Sequence, residues 1–234
     1  MVEIRLLSLL EGAREATGQV VIIDVYRAFT TAAVAFRQGA REIVLVGEPE
    51  RALTLRRDGR GDLLLGERGG IMVPGFDLGN SPHALAGRDL TGQRLILCTS
   101  AGTRGVAAVS GATCCYLVAL VNASATAGAL LAEQVSQPAT ISLVAMGNAG
   151  VSRSDEDELC GLYLRNRLLG REMDTTALAT LVRQAGESAK FDDPAQPWFD
   201  PRDRNLALQV DAIPIAMRVE NRDGLPVALP VSGR

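Results

Sequence analysis

The sequence is poor in the residues from which zinc centres and disulfide frameworks are built. It contains one histidine, His83, and four cysteines, of which Cys114 and Cys115 are adjacent and none forms a CxxC pair. Zinc sites and disulfide-stapled domains need such residues at regular spacings. The composition therefore predicts reduced cysteines and neither kind of framework.

Clustered basic residues and long apolar runs are also missing. The net charge is −3 and the arginines are scattered, which is not typical of a nucleic-acid-binding surface. No apolar run reaches the roughly 18 residues of a membrane span, and no secretory signal pattern is present. We therefore expect a soluble, cytoplasmic protein that binds neither nucleic acid nor membrane. A homo-oligomer is compatible with the sequence.

The sequence does contain enough apolar residues for a substantial core. Of its 234 residues 47% are hydrophobic and 22% are charged, as in ordinary globular proteins. We expect a single unit over residues 1–234, and two sub-lobes divided near residues 85–95 are an alternative within it.

Apolar runs typical of buried strands alternate with helical stretches along most of the chain. The runs lie at residues 20–23, 42–46, 63–65, 94–98, 115–118 and 140–146. This order predicts an α/β fold, in which a mostly parallel sheet with right-handed β-α-β crossovers has helices on both faces. Near the end of the chain, Asp223 and Gly224 separate two further apolar runs and predict an antiparallel hairpin at an edge of the sheet.

Polar residues follow the buried strand at residues 20–23. Asp24, Arg27, Thr30 and Thr31 come directly before an alanine-rich helical stretch. Ligands of parallel sheets bind beyond the carboxyl ends of the strands, near helix N-termini. The plain alternative is that a threonine caps the helix and that Asp24 pairs with Arg27.

A glycine-rich stretch over residues 66–82 has neither helical nor strand periodicity. A loop of this length in a compact domain is usually functional or disordered, and its apolar residues argue against disorder. We interpret it as an active-site loop. Its polar residues are Glu67, Arg68, Asp77, Asn80 and Ser81.

Two later segments also place polar residues at the start of a predicted helix, as residues 24–31 do. Ser100, Gly102, Thr103 and Arg104 follow the strand at residues 94–98, and an acidic run over residues 154–158, which includes Glu156 and Asp157, opens a helix. Acidic residues in a first helical turn also complement the helix dipole, so this run has a structural explanation as well.

Hard oxygen ligands without a cluster of His or Cys favour Mg²⁺, which typically binds one or two carboxylates and a substrate phosphate. Arginine side chains and helix N-termini suit the phosphate itself. The pattern therefore indicates metal-assisted phosphoryl chemistry.

Other phosphatase mechanisms fit the sequence less well. His83 has no Arg-His-Gly context, and Asp24 is not followed by the Asp-x-Asp pattern of aspartyl-phosphate enzymes. Cys98 and Arg104 have the Cys-x5-Arg spacing of a cysteine phosphatase, so a covalent route through Cys98 stays an alternative. A protein that binds an anionic metabolite without catalysis is another.

These motifs together resemble the 2-phosphosulfolactate phosphatase family over most of the chain. The similarity rests on IDVYRAFTTA at residues 23–32, GERGG and GFDLGNSP within residues 66–82, TSAGTR at residues 99–104, Asn122, and EDELCG at residues 156–161. It implies an α/β fold and Mg²⁺-dependent hydrolysis of 2-phosphosulfolactate to sulfolactate and phosphate, on a route to coenzyme M or to free sulfolactate. The sequence departs from the family pattern at Phe29, Ser100 and Ala101.

The resulting hypothesis assigns roles to the polar residues of these segments. Asp24, Glu67 and Asp157 hold Mg²⁺, and Arg27 and Arg104 neutralise the phosphoryl group. Asp77 or Glu156 orients the attacking water. The remaining substrate-binding residues are Thr30, Thr31, Arg68, Asn80, Ser81, Ser100, Gly102 and Thr103.

Overall fold

The computed structural model describes residues 2–134 and 140–232. Within these ranges, ten strands form one mixed sheet. The strands are β1 (Ile4–Ser8), β2 (Thr17–Ile23), β3 (Glu42–Val46), β4 (Leu63–Arg68), β5 (Ile71–Met72), β6 (Arg94–Cys98), β7 (Gly111–Val118), β8 (Ile141–Ala145), β9 (Ile215–Arg222) and β10 (Leu225–Ser232).

Helices connect most of these strands. They are α1 (Leu9–Glu15), α2 (Ala28–Arg37), α3 (Pro49–Arg57), α4 (Pro82–Leu85), α5 (Gly102–Ala108), α6 (Ala123–Gln134), α7 (Asp155–Leu168), α8 (Thr175–Gln184) and α9 (Pro201–Ala207), with 3₁₀ segments at Leu120–Asn122 and Gly186–Asp192. In the described part of the chain, no helix has both the length and the apolar character needed to cross a membrane.

The predicted α/β fold with its mostly parallel sheet is confirmed. The strand order is β1-β8-β2-β7-β9-β10-β3-β6-β4-β5. Strands β1, β8, β2 and β7 form one parallel block, and β3, β6 and β4 form another. The division near residues 85–95 stays a prediction.

The antiparallel hairpin β9–β10 is also confirmed, but its expected position at an edge is wrong. It lies between the two parallel blocks, where β9 pairs with β7 and β10 pairs with β3. Strand β10 contains Pro226 and Pro230, which cannot donate to a ladder. Its pairing with β3 uses only Val227 and Ala228, so neither proline has to donate there.

The β3-β6-β4 block is covered on both faces, as its continuous apolar runs predict. Ile43 and Leu45 of β3 belong to the main core, whereas the alternating Val44 and Val46 belong to a second, smaller cluster. Successive side chains of a strand point to opposite faces. Helix α3 covers the second face and contributes Ala52 to this smaller cluster.

Candidate functional site

A cleft of about 630 Å³ lies where several strands end. One side, called the strand-end wall, is formed by residues that end or follow β2, β4, β6 and β8, by one residue of the loop before α4 and by one at the start of α7. These are residues 24, 26–27, 67, 69–70, 100–101 and 147–149, with residues 80 and 156. The other side, the aromatic wall, is formed within residues 186–199. The structure thus brings together polar residues from turns that are far apart in the sequence.

Asp24 holds two parts of the strand-end wall together. Its Oδ1 accepts the N–H of Ala28 at 3.0 Å, in the first turn of α2, and its Oδ2 accepts the N–H of Gly102 at 2.9 Å, in the first turn of α5. Asp24 does not pair with Arg27, whose partner is Asp203, and neither Thr30 nor Thr31 is the capping residue of α2. The side chain is 5% exposed and lines the cleft. Because a carboxylate has about four lone-pair sites, Asp24 keeps acceptor capacity for a ligand.

Glu67 has a similar arrangement at the end of β4. Its Oε1 accepts the N–H of Ser100 at 2.7 Å, and its Oε2 accepts the N–H of Gly70 at 2.7 Å and the hydroxyl of Ser100 at 3.1 Å. The side chain is buried and lines the cleft. The carboxylates of Asp24 and Glu67 therefore hold in place the turns after β2, β4 and β6, which contain predicted site residues.

The adjacent acids Glu156 and Asp157 have different surroundings. Both oxygens of Asp157 accept backbone N–H groups, from Val25 at 2.7 Å and from Gly147 at 2.8 Å, and the residue does not line the cleft. Glu156 lines the cleft, and its Oε2 has no hydrogen-bond partner among the described residues. Asp157 therefore holds the turns after β2 and β8 through its two hydrogen bonds, whereas Oε2 of Glu156 is unpaired among the described residues.

Burial changes the acidity of these carboxyl groups. Desolvation, with a smaller contribution from the charge of Glu67, raises the pKa of Asp24 to about 6. Desolvation raises the pKa of Glu156 to about 7. It also holds the pKa of Asp157 well above its usual range, and the neighbouring charges of Glu156 and Asp24 add to this. Carboxyl groups that are buried close to one another would be stabilised in their charged form by a cation.

A turn with left-handed backbone follows β8 and closes this side of the cleft. Gly147 has φ +61°, and a Cβ at that position would approach the carbonyl oxygen of Ser152 to 2.1 Å. Only glycine fits there without strain. The turn places the N–H of Gly147 on Asp157 and brings Asn148 and Ala149 to the cleft.

Asn80 is a second orphan acceptor in the cleft. The residue is 4% exposed, and its Oδ1 has no hydrogen-bond partner in the part of the chain that the structure describes. Buried polar atoms are normally paired with protein or ordered water, so an unpaired oxygen on a residue that lines the cleft is a candidate ligand for a metal or substrate. The glycine-rich loop was predicted to contribute it.

Arg27 is buried and clamps the two walls together. Its Nη1 donates to Asp203 and to the carbonyl of Trp198, both at 2.8 Å, and its Nη2 donates to the carbonyl of Gly70 at 3.3 Å. Its guanidinium lies 4.7 Å from the ring centre of Phe199. Arg27 lines the cleft, but the charge that was predicted to meet a phosphoryl group is already paired with a fully buried acid.

The other two predicted arginines lie outside the cleft lining. Arg68 donates to the carbonyl oxygens of Glu67 and Gly47 and, at 3.3 Å, to Cys98 Sγ. Arg104 is exposed and lies beside Gly47, in a separate surface pocket. Acceptors on β4, on β6 and in the turn after β3 hold the side chain of Arg68 in place. Arg104, by contrast, is exposed on α5.

Most of the predicted hydroxyl groups have structural partners. Thr30 donates to the carbonyl of Val25, Thr103 exchanges hydrogen bonds with Thr99, and Ser81 caps α4 and donates to Asp203. Thr31 is buried beside apolar residues of the core. Of the predicted hydroxyl residues, only Ser100 lines the cleft.

Asp77 and Cys98 also lie outside the cleft lining. Asp77 accepts the N–H of Leu64 at 2.7 Å and lies 3.9 Å from Arg56. Cys98 is fully buried in the smaller core cluster, and desolvation raises its pKa. A buried thiol with a raised pKa is a poor nucleophile, so its position does not favour the covalent route.

Lys190 was missed by the sequence analysis. It lines the cleft from the 3₁₀ segment, forms an ion pair with Glu187 at 2.9 Å and lies 4.8 Å from the ring centre of Phe199. A signal was available, because 23 of the 24 basic residues are arginine and Lys190 is the only lysine. No comparable feature of the sequence marks Asp203, which forms the ion pair with Arg27.

No preformed metal cluster is present among the described residues. There, no group of three or more His, Cys, Asp or Glu side chains is arranged to hold a metal ion. Mg²⁺ does not require such a cluster, since it is often bound by one or two carboxylates with water and substrate phosphate. The predicted Mg²⁺ ion therefore stays a prediction.

The fold and the cleft define an α/β protein with an acidic small-molecule site at the ends of its strands. The chain belongs to the 2-phosphosulpholactate phosphatase family, whose model matches residues 7–198. The family and the enzyme class predicted from the sequence, a phosphoric monoester hydrolase, are thereby confirmed.

Curated relatives of this chain carry the name "Probable 2-phosphosulfolactate phosphatase", and three of them show the extent of the similarity. The protein of Bacillus subtilis (strain 168) is 34% identical over 184 residues, which cover 78% of each chain. The Deinococcus radiodurans protein is 41% identical over 132 residues, or 56% of this chain and 55% of the relative. The Synechococcus sp. (strain CC9605) protein is 40% identical over 158 residues, or 67% and 63%. The last two alignments span less than two thirds of those relatives.

Proposed function

We propose that this protein is a Mg²⁺-dependent phosphatase that hydrolyses 2-phosphosulfolactate to sulfolactate and phosphate. The observation that carries the proposal is the cleft itself, in which three buried carboxylates, those of Asp24, Glu67 and Glu156, lie on one wall. The family and the names of the relatives supply the substrate. A cytoplasmic location, a homo-oligomer and a place on a route to coenzyme M or free sulfolactate stay predictions.

The donor set fits Mg²⁺. It consists of hard oxygens, with remaining acceptor capacity on Asp24 and Glu67 and, within the described residues, an unpaired Oδ1 on Asn80. We assign these three residues as the groups that would hold the ion. Bound there, Mg²⁺ supplies a Lewis acid that neutralises charge on phosphoryl oxygens.

Charge balance also supports a cation. The proposed substrate has a phosphate, a carboxylate and a sulfonate group, and it would enter a cleft lined by buried carboxylates. Like charges at short range in a poorly solvated site repel one another strongly. The carboxylates and the substrate are compatible when a divalent cation lies between them.

The other residues of the strand-end wall position the reacting groups. Glu156 lines the cleft, has an Oε2 without a hydrogen-bond partner among the described residues, and orients the attacking water. Asp157 keeps Val25 and Gly147 in place, and thereby holds the turns after β2 and β8. Ser100 fixes the carboxylate of Glu67 through two hydrogen bonds.

Phosphate release from 2-phosphosulfolactate, measured over a Mg²⁺ titration after EDTA treatment, tests this proposal. We expect no release in EDTA and full recovery with Mg²⁺. Asp24→Asn should lower kcat on the order of 10³-fold, because one neutral amide replaces a charged ligand. Asp62→Asn is the matched control, since Asp62 also accepts a backbone N–H, from Arg94, but lies away from the cleft.

Thermal unfolding provides a readout that is independent of turnover. Mg²⁺ should raise the Tm of the wild-type protein and of Asp62→Asn, but not that of Asp24→Asn. Full turnover in EDTA would refute the metal requirement. Binding of 2-phosphosulfolactate without any phosphate release would instead identify a metabolite-binding protein.

A further inference from the structure

Lys190 is the only lysine in a chain that otherwise uses arginine for every basic side chain. It lies in the 3₁₀ segment of the aromatic wall and lines the cleft. Arginine is always charged and binds through a planar fork, whereas lysine offers a compact ammonium group with three donors. This position therefore differs chemically from the other 23.

The surroundings of Lys190 hold its ammonium group at the cleft. Its Nζ lies 2.9 Å from Glu187 Oε2 and packs over the rings of Phe199 and Phe191, at 4.8 and 5.8 Å from their centres. The side chain is 18% exposed. Aromatic faces stabilise a cation without supplying a counter-charge, so they leave its charge available to an anion.

A purely structural explanation of this lysine is a local ion pair between residues three apart. Such pairs contribute little to stability and form equally well on exposed helices. They do not require burial over two aromatic rings beside a cleft. Glu187 is 28% exposed, so an incoming anion can replace it.

The other cations near the proposed substrate are already paired or lie elsewhere. Arg27 is paired with Asp203, which is fully buried, and Arg68 and Arg104 do not line the cleft. Among the described residues that line the cleft, Lys190 is therefore the cation whose partner is exchangeable. Lys190 is far in sequence from the groups assigned to Mg²⁺, but its charge reaches Asp24 and Glu156 across the cleft, where it opposes the rise in pKa of both carboxyl groups.

We propose that Lys190 binds a non-reacting anionic group of the substrate, its sulfonate or its carboxylate, and thereby selects polyanionic phosphomonoesters. The inference rests on the proposed function. A contact of this kind acts on the substrate and the transition state alike, so it lowers KM and leaves kcat nearly unchanged. The ammonium group of Lys190 forms its ion pair with Glu187 until the substrate binds and replaces that carboxylate.

Steady-state kinetics of Lys190→Met with three substrates test the proposal. For 2-phosphosulfolactate we expect KM to rise about 10- to 100-fold, as expected for the loss of a charged hydrogen bond, with kcat within about threefold. For phenyl phosphate, which has no second anionic group, kcat/KM should change less than about threefold. Phospholactate, which lacks the sulfonate, distinguishes the two sources: a matching rise in KM identifies the carboxylate, and its absence identifies the sulfonate.

Three further variants sharpen the result. Lys190→Arg keeps the charge but replaces the compact ammonium group with a planar fork, so it should recover only part of the lost affinity. Glu187→Gln removes the competing partner and should lower KM for 2-phosphosulfolactate. Arg51→Met is the charge-matched control, because Arg51 is exposed and lies outside the cleft lining, so its KM should equal that of the wild type.

Calorimetric binding of sulfolactate separates this inference from the proposed function. If the wild type releases no phosphate but binds sulfolactate at least tenfold more tightly than Lys190→Met does, the anion site stands and the phosphatase proposal fails. If sulfolactate binds both proteins equally, or binds neither, Lys190 does not bind this group. An equal loss of kcat/KM for phenyl phosphate would likewise overturn the proposal, because Lys190 would then act on the phosphate.

Discussion

The two walls of the cleft differ in how the chain builds them. The strand-end wall comes from short turns after regular strands, and backbone N–H groups hold its carboxylates in place. The aromatic wall comes from an irregular stretch between α8 and α9, packed through Phe191, Trp198 and Phe199. The first wall offers oxygen ligands, and the second offers a cation on aromatic rings. The groups proposed to hold Mg²⁺ and the cation proposed to select the substrate therefore come from separate parts of the chain.

The largest expected effect concerns the link between the walls. Asp203 is fully buried, pairs with Arg27, and accepts hydrogen bonds from Ser81 and the N–H of His83. Asp203→Ala leaves the buried charge of Arg27 without its partner, so we expect a loss of about 3 to 5 kcal/mol in the free energy of unfolding. Denaturant titration measures it.

Asp200→Ala is the control for this prediction. Asp200 caps the same helix, α9, and pairs with the exposed Arg202. Losing a cap typically costs about 0.5 to 2 kcal/mol. If Asp203→Ala were no worse than Asp200→Ala, the walls would not depend on the Arg27–Asp203 pair.

An intermediate effect is expected from pH on the strand-end wall. Glu156 has a pKa of about 7 in the folded protein because of burial. Between about pH 4.5 and 7 the folded state therefore binds more protons than the unfolded state, and the free energy of unfolding falls as pH rises. In Mg²⁺-free protein, Glu156→Gln should abolish about 3 kcal/mol of this pH-dependent loss in the free energy of unfolding. Above about pH 7 the variant should therefore be more stable than the wild type.

Denaturant titrations at several pH values, with EDTA present, measure this difference. Glu158→Gln is the control, because that carboxylate lies on the same helix but is partly exposed and paired with Arg153. A stability difference between the wild type and Glu156→Gln that stays constant from about pH 4.5 to 8 would contradict the prediction.

The smallest effect is expected at Cys98, which belongs to neither wall. Cys98→Ser should leave kcat within about threefold, because the thiol is buried in the core behind the cleft. Burying a hydroxyl there should cost about 1 kcal/mol, since Arg68 can still donate to it. A loss of roughly a thousandfold in kcat would restore the covalent route.

The strand-end wall was largely predictable from sequence, because strands and the turns that follow them have local signatures. The sequence predicts Asp24, Glu67, Ser100 and Glu156 as site residues, and all four line the cleft. The partners of the arginines were not predictable. Arg27 meets Asp203 across 176 positions of the chain, and no local pattern indicates such a pairing.

The aromatic wall was not predicted for a related reason. Its stretch is irregular, so periodicity says nothing about which side chains face inward. Gly70 fits against this wall only because it has no side chain: a Cβ there would lie 2.4 Å from Phe199 and 2.7 Å from Trp198. That contact joins two distant loops, and such a close approach can be read only from the folded chain.

The central position of the β9–β10 hairpin has a consequence for synthesis on the ribosome. Every strand of both parallel blocks is translated before the hairpin that joins them, and residues 145 to 215 alone take roughly 4 to 14 s at ordinary elongation rates. During that interval the edges of β7 and β3 lack their neighbours, and unpaired strand edges are where nascent chains aggregate. We therefore expect soluble yield in cells to depend on how fast the region after β8 is translated.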